Sequence, residues 1–336
     1  MMSLDQLPEL ERWAENSVGE PISLVMFPQL EQLKISDCTK IATLPDSPAL
    51  THLICHGRSE AEGLVPMSMP LGYLPSLVNL NIGMLVDVVM PVKDHQNQSQ
   101  RPLDTLRILY LCGHDGFTSM FNSYKLLHLG FGDCLAFVEY LHIQFSNIVH
   151  WPVEELRSLV RLRSLRIDSC SKIEGKGSSS EEILPLPQLE GLSIEYCKSL
   201  LEIPKLPDSL GRMRIDQCKS LVALPSNLGD LVKLRYLSLE YCSKLKALPD
   251  GMAGLTSLEQ LIIYWCPGIT KFPQGLLQRL PALKFLHIEY CPELQRCCRE
   301  GGEYFDLVSP IPDTKIPPPY EPEAKPAKCG GGSSSS

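Results

Sequence analysis

The side chains best suited to chemistry in this sequence are its thirteen cysteines and eight histidines. Thiolates and imidazoles are common zinc ligands, and a cysteine beside a histidine makes a nucleophile–base couple. Cys291, Cys297 and Cys298 form the densest group, but they lack the Cys-x-x-Cys pair of a structural zinc site. Neither a Gly-x-Ser-x-Gly elbow nor a His-Glu-x-x-His pair occurs. A dinucleotide-binding Gly-x-Gly-x-x-Gly is missing, as is a Gly-x-x-x-x-Gly-Lys-Ser/Thr loop that would cradle an ATP phosphate. The adjacent carboxylates Glu181 and Glu182 lie in a Ser-rich polar stretch and read as solvating charge. Catalytic residues, metal ligands and cofactors are therefore all assigned as none, and the chain is not expected to be an enzyme.

The cysteines do something else: they recur. Leu189, Leu192, Ile194 and Cys197 spell Leu-x-x-Leu-x-Ile-x-x-Cys. The same phrase ends at Cys38, Cys170, Cys218, Cys242, Cys266 and Cys291. Its period of roughly 21–27 residues lies in the leucine-rich-repeat range. Within Leu-x-Ile, alternate residues face opposite sides of a short strand. Leu192 and Ile194 point inward, Ser193 and Glu195 outward. One such strand cannot bury its apolar side alone, so repeats must stack into a parallel sheet over a continuous core. At the Cys position the chain turns inward, and a small thiol tolerates burial while offering a weak donor to nearby carbonyls.

The elements between strands are Pro-led, as in Leu224-Pro225-Ser226-Asn227-Leu228 and Leu248-Pro249-Asp250-Gly251-Met252. Proline fixes φ and breaks a strand ladder, so the convex side should hold turns and short helical pieces rather than a second sheet. The expected fold is an α/β leucine-rich-repeat solenoid, a curved horseshoe of about eleven or twelve repeats with a parallel concave sheet. Residues 1–20 look like a truncated repeat without its strand, 21–300 like the solenoid, and 301–336 like a Pro-rich and then Gly/Ser-rich disordered tail. Between 106 and 150 the phase is ambiguous: Leu109–Leu111, Leu127–Leu129 and Leu141–Ile143 all compete as strands.

A net charge of −8 and a pI near 5.6 argue against a nucleic-acid partner. No apolar run reaches the length of a membrane span. The odd cysteine total, most of it at one repeat position, and an N-terminus without a secretory signal suggest a reducing, intracellular setting. Two outward columns stand out. The last outward strand position reads Asp168, Glu195, Asp216, Glu240, Tyr264, Glu289; the next reads Ser169, Tyr196, Gln217, Tyr241, Trp265, Tyr290. Stacking would set an acidic column beside an aromatic one on the concave face. Exposed aromatics are typical anchors of protein interfaces. Arg166 and Arg214 lie two residues back on the same face, where they can instead neutralise the acids.

The Cys-ended strands, the Pro-led segments and stretches such as Phe27-Pro28-Gln29-Leu30 and Ile288-Glu289-Tyr290-Cys291-Pro292 resemble one family. It is the C-terminal leucine-rich-repeat region of plant coiled-coil nucleotide-binding disease resistance proteins of the cereal type. The resemblance covers roughly residues 7–310. It implies a cytoplasmic or nuclear module that recognises a pathogen effector or a guarded host protein, or holds the parent receptor's nucleotide-binding domain in its off state. The partner is then a protein. A generic leucine-rich adaptor, such as a ubiquitin-ligase substrate receptor, is the alternative, although no F-box-like segment is visible.

Overall fold

In a computed structural model of the chain, the described residues are 1–7, 9–10, 27–38, 40–41, 44–45, 47–57, 67–70, 74–84, 86–89, 103–114, 116–118, 120–121, 135–175 and 183–319. They contain β1 (Met2–Asp5), β2 (Gln32–Ser36), β3 (His52–His56), β4 (Met67–Pro70), β5 (Asn79–Ile82), β6 (Val86–Val89), β7 (Ile108–Cys112) and β8 (Tyr140–Gln144). These are followed by β9 (Ser164–Asp168), β10 (Gly191–Glu195), β11 (Arg212–Asp216), β12 (Tyr236–Glu240), β13 (Gln260–Tyr264), β14 (Phe285–Glu289) and β15 (Asp313–Lys315). All but β4 and β6 form one curved, parallel sheet of thirteen strands in chain order.

The register follows from the repeat phrase. Leu192 stands opposite Leu165 and Met213, and Ile194 opposite Ile167 and Ile215. Each apolar position thus makes its own buried row. A fully buried Leu or Ile contributes about 1.5–3 kcal/mol, so the rows dominate cohesion. Cys170, Cys197, Cys218, Cys242, Cys266 and Cys291 are all fully buried and free of disulfides. Five of these thiols reach a carbonyl of the preceding repeat at 3.5–3.9 Å: Cys170 to Ile143, Cys197 to Ile167, Cys218 to Ile194, Cys266 to Leu239 and Cys291 to Ile263. Contacts of that length are weak, so the rung serves mainly to fill the turn. Burial pushes the Cys291 thiol up to about 12 and raises that of Cys55, which leaves both unreactive.

The prolines open the convex turns. The carbonyls of Pro225, Pro249 and Pro273 accept the N–H groups of Leu228, Met252 and Leu276 at 3.0–3.2 Å. Single 3-10 turns lie at Leu228–Asp230, Asp250–Gly254 and Leu277–Arg279, and a short helix at Val153–Leu156.

Several expectations need correction. The first repeat does have a strand, because β1 pairs with β2; its Met2-Ser3-Leu4-Asp5 simply lacks the phrase. A second sheet exists, since β4 pairs with β6 away from the main sheet. The part of the tail up to residue 319 is ordered. The helix Phe305–Val308 leads to β15, which extends β14 as an edge strand. Gln295 donates to the carbonyl of Pro317 at 2.7 Å, closing this end. Proline is tolerated here because it flanks an edge strand instead of interrupting it. The sheet therefore has thirteen strands, against the eleven or twelve repeats expected, and both additions are at its ends. In the ambiguous stretch, β7 and β8 contain two of the three candidate strands. Leu127–Leu129, Glu181, Glu182 and residues 320–336 lie outside the described residues.

Candidate functional site

The outward column forms as the register requires. Asp168 stands opposite Glu195, Glu195 opposite Asp216, Asp216 opposite Glu240, Glu240 opposite Tyr264 and Tyr264 opposite Glu289. Gln144 of β8 extends it by one. The acids are not free. Arg166 reaches Asp168 at 3.5 Å and Glu195 at 2.8 Å, while Arg214 reaches Asp216 and Glu240, both at 3.1 Å. Glu289 pairs with His287 at 3.0 Å. Five carboxylates thus share two guanidinium groups and two imidazoles, the second being His142, 3.8 Å from Asp168. Asp168 and Asp216 are nearly buried. Burial raises the carboxyl of Asp216 above its ordinary range, opposed by its hydrogen bond from Arg214. The column is an ion-pair network with residual negative charge more than an open acidic trough.

His142 is more covered than an outward position suggests. It lies against the Tyr110 ring, with centroids 5.7 Å apart, and its Nε2 is 3.8 Å from Asp168. Burial, and after it the nearby Arg166, lowers its proton affinity.

The aromatic column arises from an unusual backbone. Ser169, Tyr196, Gln217, Tyr241, Trp265 and Tyr290 all have φ between 50° and 55°, the left-handed region that non-glycine residues seldom enter. The turn is held by the next repeat: Tyr241 N–H donates to the Tyr264 carbonyl at 2.8 Å, and Trp265 N–H to that of Glu289 at 3.0 Å. The reversal sends the following Cys inward and throws the aromatic ring sideways along the sheet edge. Trp265 stacks on Tyr241 at 6.1 Å and on Tyr290 at 5.0 Å, with ring planes 17° and 27° apart. Tyr264 meets Tyr241 and Tyr290 edge-on, both at 5.3 Å. Tyr196 and Trp265 remain 45% exposed. Tyr196 stands apart from this cluster, separated from Tyr241 by the Gln217 repeat. Phe145, at φ 53° and also 45% exposed, belongs to the same row. The sequence hid it because Ser146, not Cys, follows it.

Each left-handed non-glycine residue costs roughly 1 kcal/mol, and a stacked aromatic pair contributes about 0.5–1.5 kcal/mol beyond its burial. Stacking thus offsets the strain but leaves no clear profit for the fold. Among the described residues no group of three or more His, Cys, Asp or Glu side chains is placed to hold a metal ion. No helix among them is long and apolar enough to cross a membrane.

Comparison with known proteins finds similarity in sequence and in fold. The family model for plant disease resistance protein RPS2-like leucine-rich repeats matches residues 137–292. The protein SUPPRESSOR OF npr1-1, CONSTITUTIVE 1 of Arabidopsis thaliana is 32% identical over 163 residues, which are 46% of this chain and 10% of that protein. The chain therefore spans about a tenth of that relative's length. The leucine-rich-repeat domain of the type III effector XopL superposes with a TM-score of 0.46 at 20% identity, covering 77% of this chain and 78% of that one. The TLR13–ssRNA13 complex gives 0.44 at 20% identity, covering 79% and 40%. The chain is a leucine-rich-repeat solenoid, and its residues 137–292 are similar to the repeats of plant disease resistance proteins.

Proposed function

We propose that this chain is the non-catalytic recognition part of an intracellular plant immune receptor. It senses a partner protein and contributes to holding the receptor off. The partner is a pathogen effector, a guarded host protein or the receptor's own nucleotide-binding domain. The binding edge consists of Asp168, Glu195, Tyr196, Asp216, Glu240, Tyr241, Tyr264, Trp265, Glu289 and Tyr290. One observation carries this reading: large rings stand exposed at left-handed positions where glycine would turn the chain at lower cost. The repeat match over 137–292 supports the receptor context.

Two measurements test the two halves separately. Sequencing full-length transcripts that contain this segment should find a nucleotide-binding domain encoded in frame; transcripts consistently lacking one would refute the receptor reading. With that domain as the probe, calorimetry on the folded chain should show Trp265→Ala weakening association by on the order of 2 kcal/mol. Unchanged affinity in a folded Trp265→Ala variant would reduce the edge to scaffold.

A further inference from the structure

The opposite edge of the sheet, where the strands begin, carries its own charged row. The residues immediately before β9 to β14 are Arg163, Glu190, Gly211, Arg235, Glu259 and Lys284. Neighbours of opposite sign pair: Arg163 with Glu190 at 2.9 Å, Arg235 with Glu259 at 3.4 Å and Lys284 with Glu259 at 3.2 Å. Arg107 and Glu139 continue the pattern before β7 and β8, 3.7 Å apart. The ladder breaks at Gly211.

That break is an open depression of about 530 Å³, bordered by Gly191 and Gly211. Neither glycine is demanded by the backbone. A Cβ on either would meet its nearest neighbour at 3.6 Å, an ordinary contact. What their bareness provides is space. Two bases at the rim have no carboxylate partner among the described residues. Arg212 lies 5.1 Å over the Tyr236 ring, and Lys233 is exposed to solvent. Arg235 divides itself between the depression and Glu259, while Glu190 is already engaged by Arg163. The local excess is positive on a chain whose net charge is −8.

We propose that this depression receives an acidic side chain from a partner protein, held by Arg212, Lys233 and Arg235. The inference rests on reading the open face as a protein-binding surface, but it does not depend on the aromatic edge. Because the strands are parallel, the two edges have opposite character. Arg212 and Asp216 are four residues apart on β11, a span of roughly 13 Å. A partner using both edges must therefore present acid at the strand starts and base or aromatic groups about 13 Å away. That polarity fixes its orientation across the sheet.

The probe is a fluorescently labelled deca-glutamate peptide, titrated with the full chain at about 10 mM salt, where the screening length is about 30 Å. The chain's net charge repels this probe, so saturable binding reports the local site. Saturable binding is expected, weakened about tenfold or more in the Arg212→Ala/Lys233→Ala double variant. Gly211→Glu sets a carboxylate in the depression and should abolish it, whereas Val222→Ala, at an exposed position outside its lining, should leave it unchanged. Should Gly211→Glu fail to fold, the double variant carries the test. No saturable binding, or equal binding by both folded variants, overturns the proposal. Displacement of the peptide by inorganic phosphate at equal charge concentration also overturns it, by showing a general anion site.

Discussion

The repeats from β2 to β8 and those from β9 to β14 build one sheet with two kinds of turn. In the second group the strands start at 164, 191, 212, 236, 260 and 285, and every strand is followed by a left-handed residue and a buried Cys. In the first group the starts fall at 32, 52, 79, 108 and 140, with uneven gaps, two of which admit β4 and β6. There the left-handed position is Asp37, Gly113 or Phe145; a buried Cys38 or Ser146 follows the first and last, while His114 after Gly113 is exposed. Gly113, at φ 102°, shows that the turn forms without any side chain. The aromatic rings of the later repeats are thus an addition to the turn and not a requirement of it. One group supplies a uniform cysteine rung beside its rings; the other varies its turn positions, packing tightly at Gly83 and Gly113 and exposing a ring at Phe145.

Replacing a glycine in each group is the strongest way to break this contrast. At Gly83, just past β5, a Cβ would stand 2.0 Å from His56 Nδ1 and 2.9 Å from the Cys55 carbonyl. The imidazole can swing away, but the carbonyl cannot. Gly83→Ala should destabilise by about 2 kcal/mol, the usual scale of overpacking. His56, whose proton affinity is lowered by burial and then by Lys34, should return toward ordinary titration as it moves into solvent. Gly211→Ala, with 3.6 Å of clearance, should change the urea midpoint by less than about 0.5 kcal/mol. Equal effects at the two sites would show that the contact at Gly83 is no tighter than the open strand start at Gly211.

The rung itself can be exchanged between groups. Ser146 occupies the register position of Cys170, and its hydroxyl is buried without a hydrogen-bond partner among the described residues. Ser146→Cys should remove that defect and stabilise by about 0.5–1 kcal/mol, since an unsatisfied buried polar group costs on the order of 1–3 kcal/mol. The reverse change, Cys218→Ser, places a hydroxyl 3.8 Å from the Ile194 carbonyl, too far for a good bond. It should cost about 1 kcal/mol by the same principle. Denaturant midpoints moving in the same direction for both variants would show that the unsatisfied hydroxyl does not set the cost of the rung.

How far the sequence could be read divides along the same line. Strands β9 to β14 and both outward columns were legible because Leu, Ile and Cys fix the phase within nine residues. Phe145 was not, since Ser146 erased the marker. β15 was hidden because all three of its residues are exposed, leaving no alternation to detect. The charge of the acidic column was read from residue types, but its neutralisation depended on Arg166 reaching into the next repeat at 2.8 Å. Arg214 likewise reaches Glu240 of the next strand. Such contacts follow from register and rotamer rather than from spacing along one strand. The strand-start row went unread for a related reason: its alternating signs are separated by whole repeats and appear only when the strands are stacked.

The smallest expected effect lies at β8, next to the boundary between the two groups. His142 faces Tyr110 on one side and Arg166, Asp168 and Glu195 on the other. Burial and Arg166 disfavour its charged form, and the two carboxylates only partly oppose them. The native state therefore binds a proton here less readily than the unfolded chain. The stability contributed by the neutral ring is complete above the ordinary histidine range and lost as pH falls through it, because the unfolded chain then takes up the extra proton. Wild-type stability should consequently decline more between about pH 7.5 and pH 5.5 than that of His142→Gln, which cannot titrate. Slopes are the quantity to compare, because glutamine also gives up the ring contact with Tyr110. His56 titrates in the same direction and remains in both proteins, so the variant should be flatter without being flat. Coincident slopes would mean that Asp168 compensates fully for burial, placing His142 within the ion-pair network of the later repeats instead of the packed surface of the earlier ones.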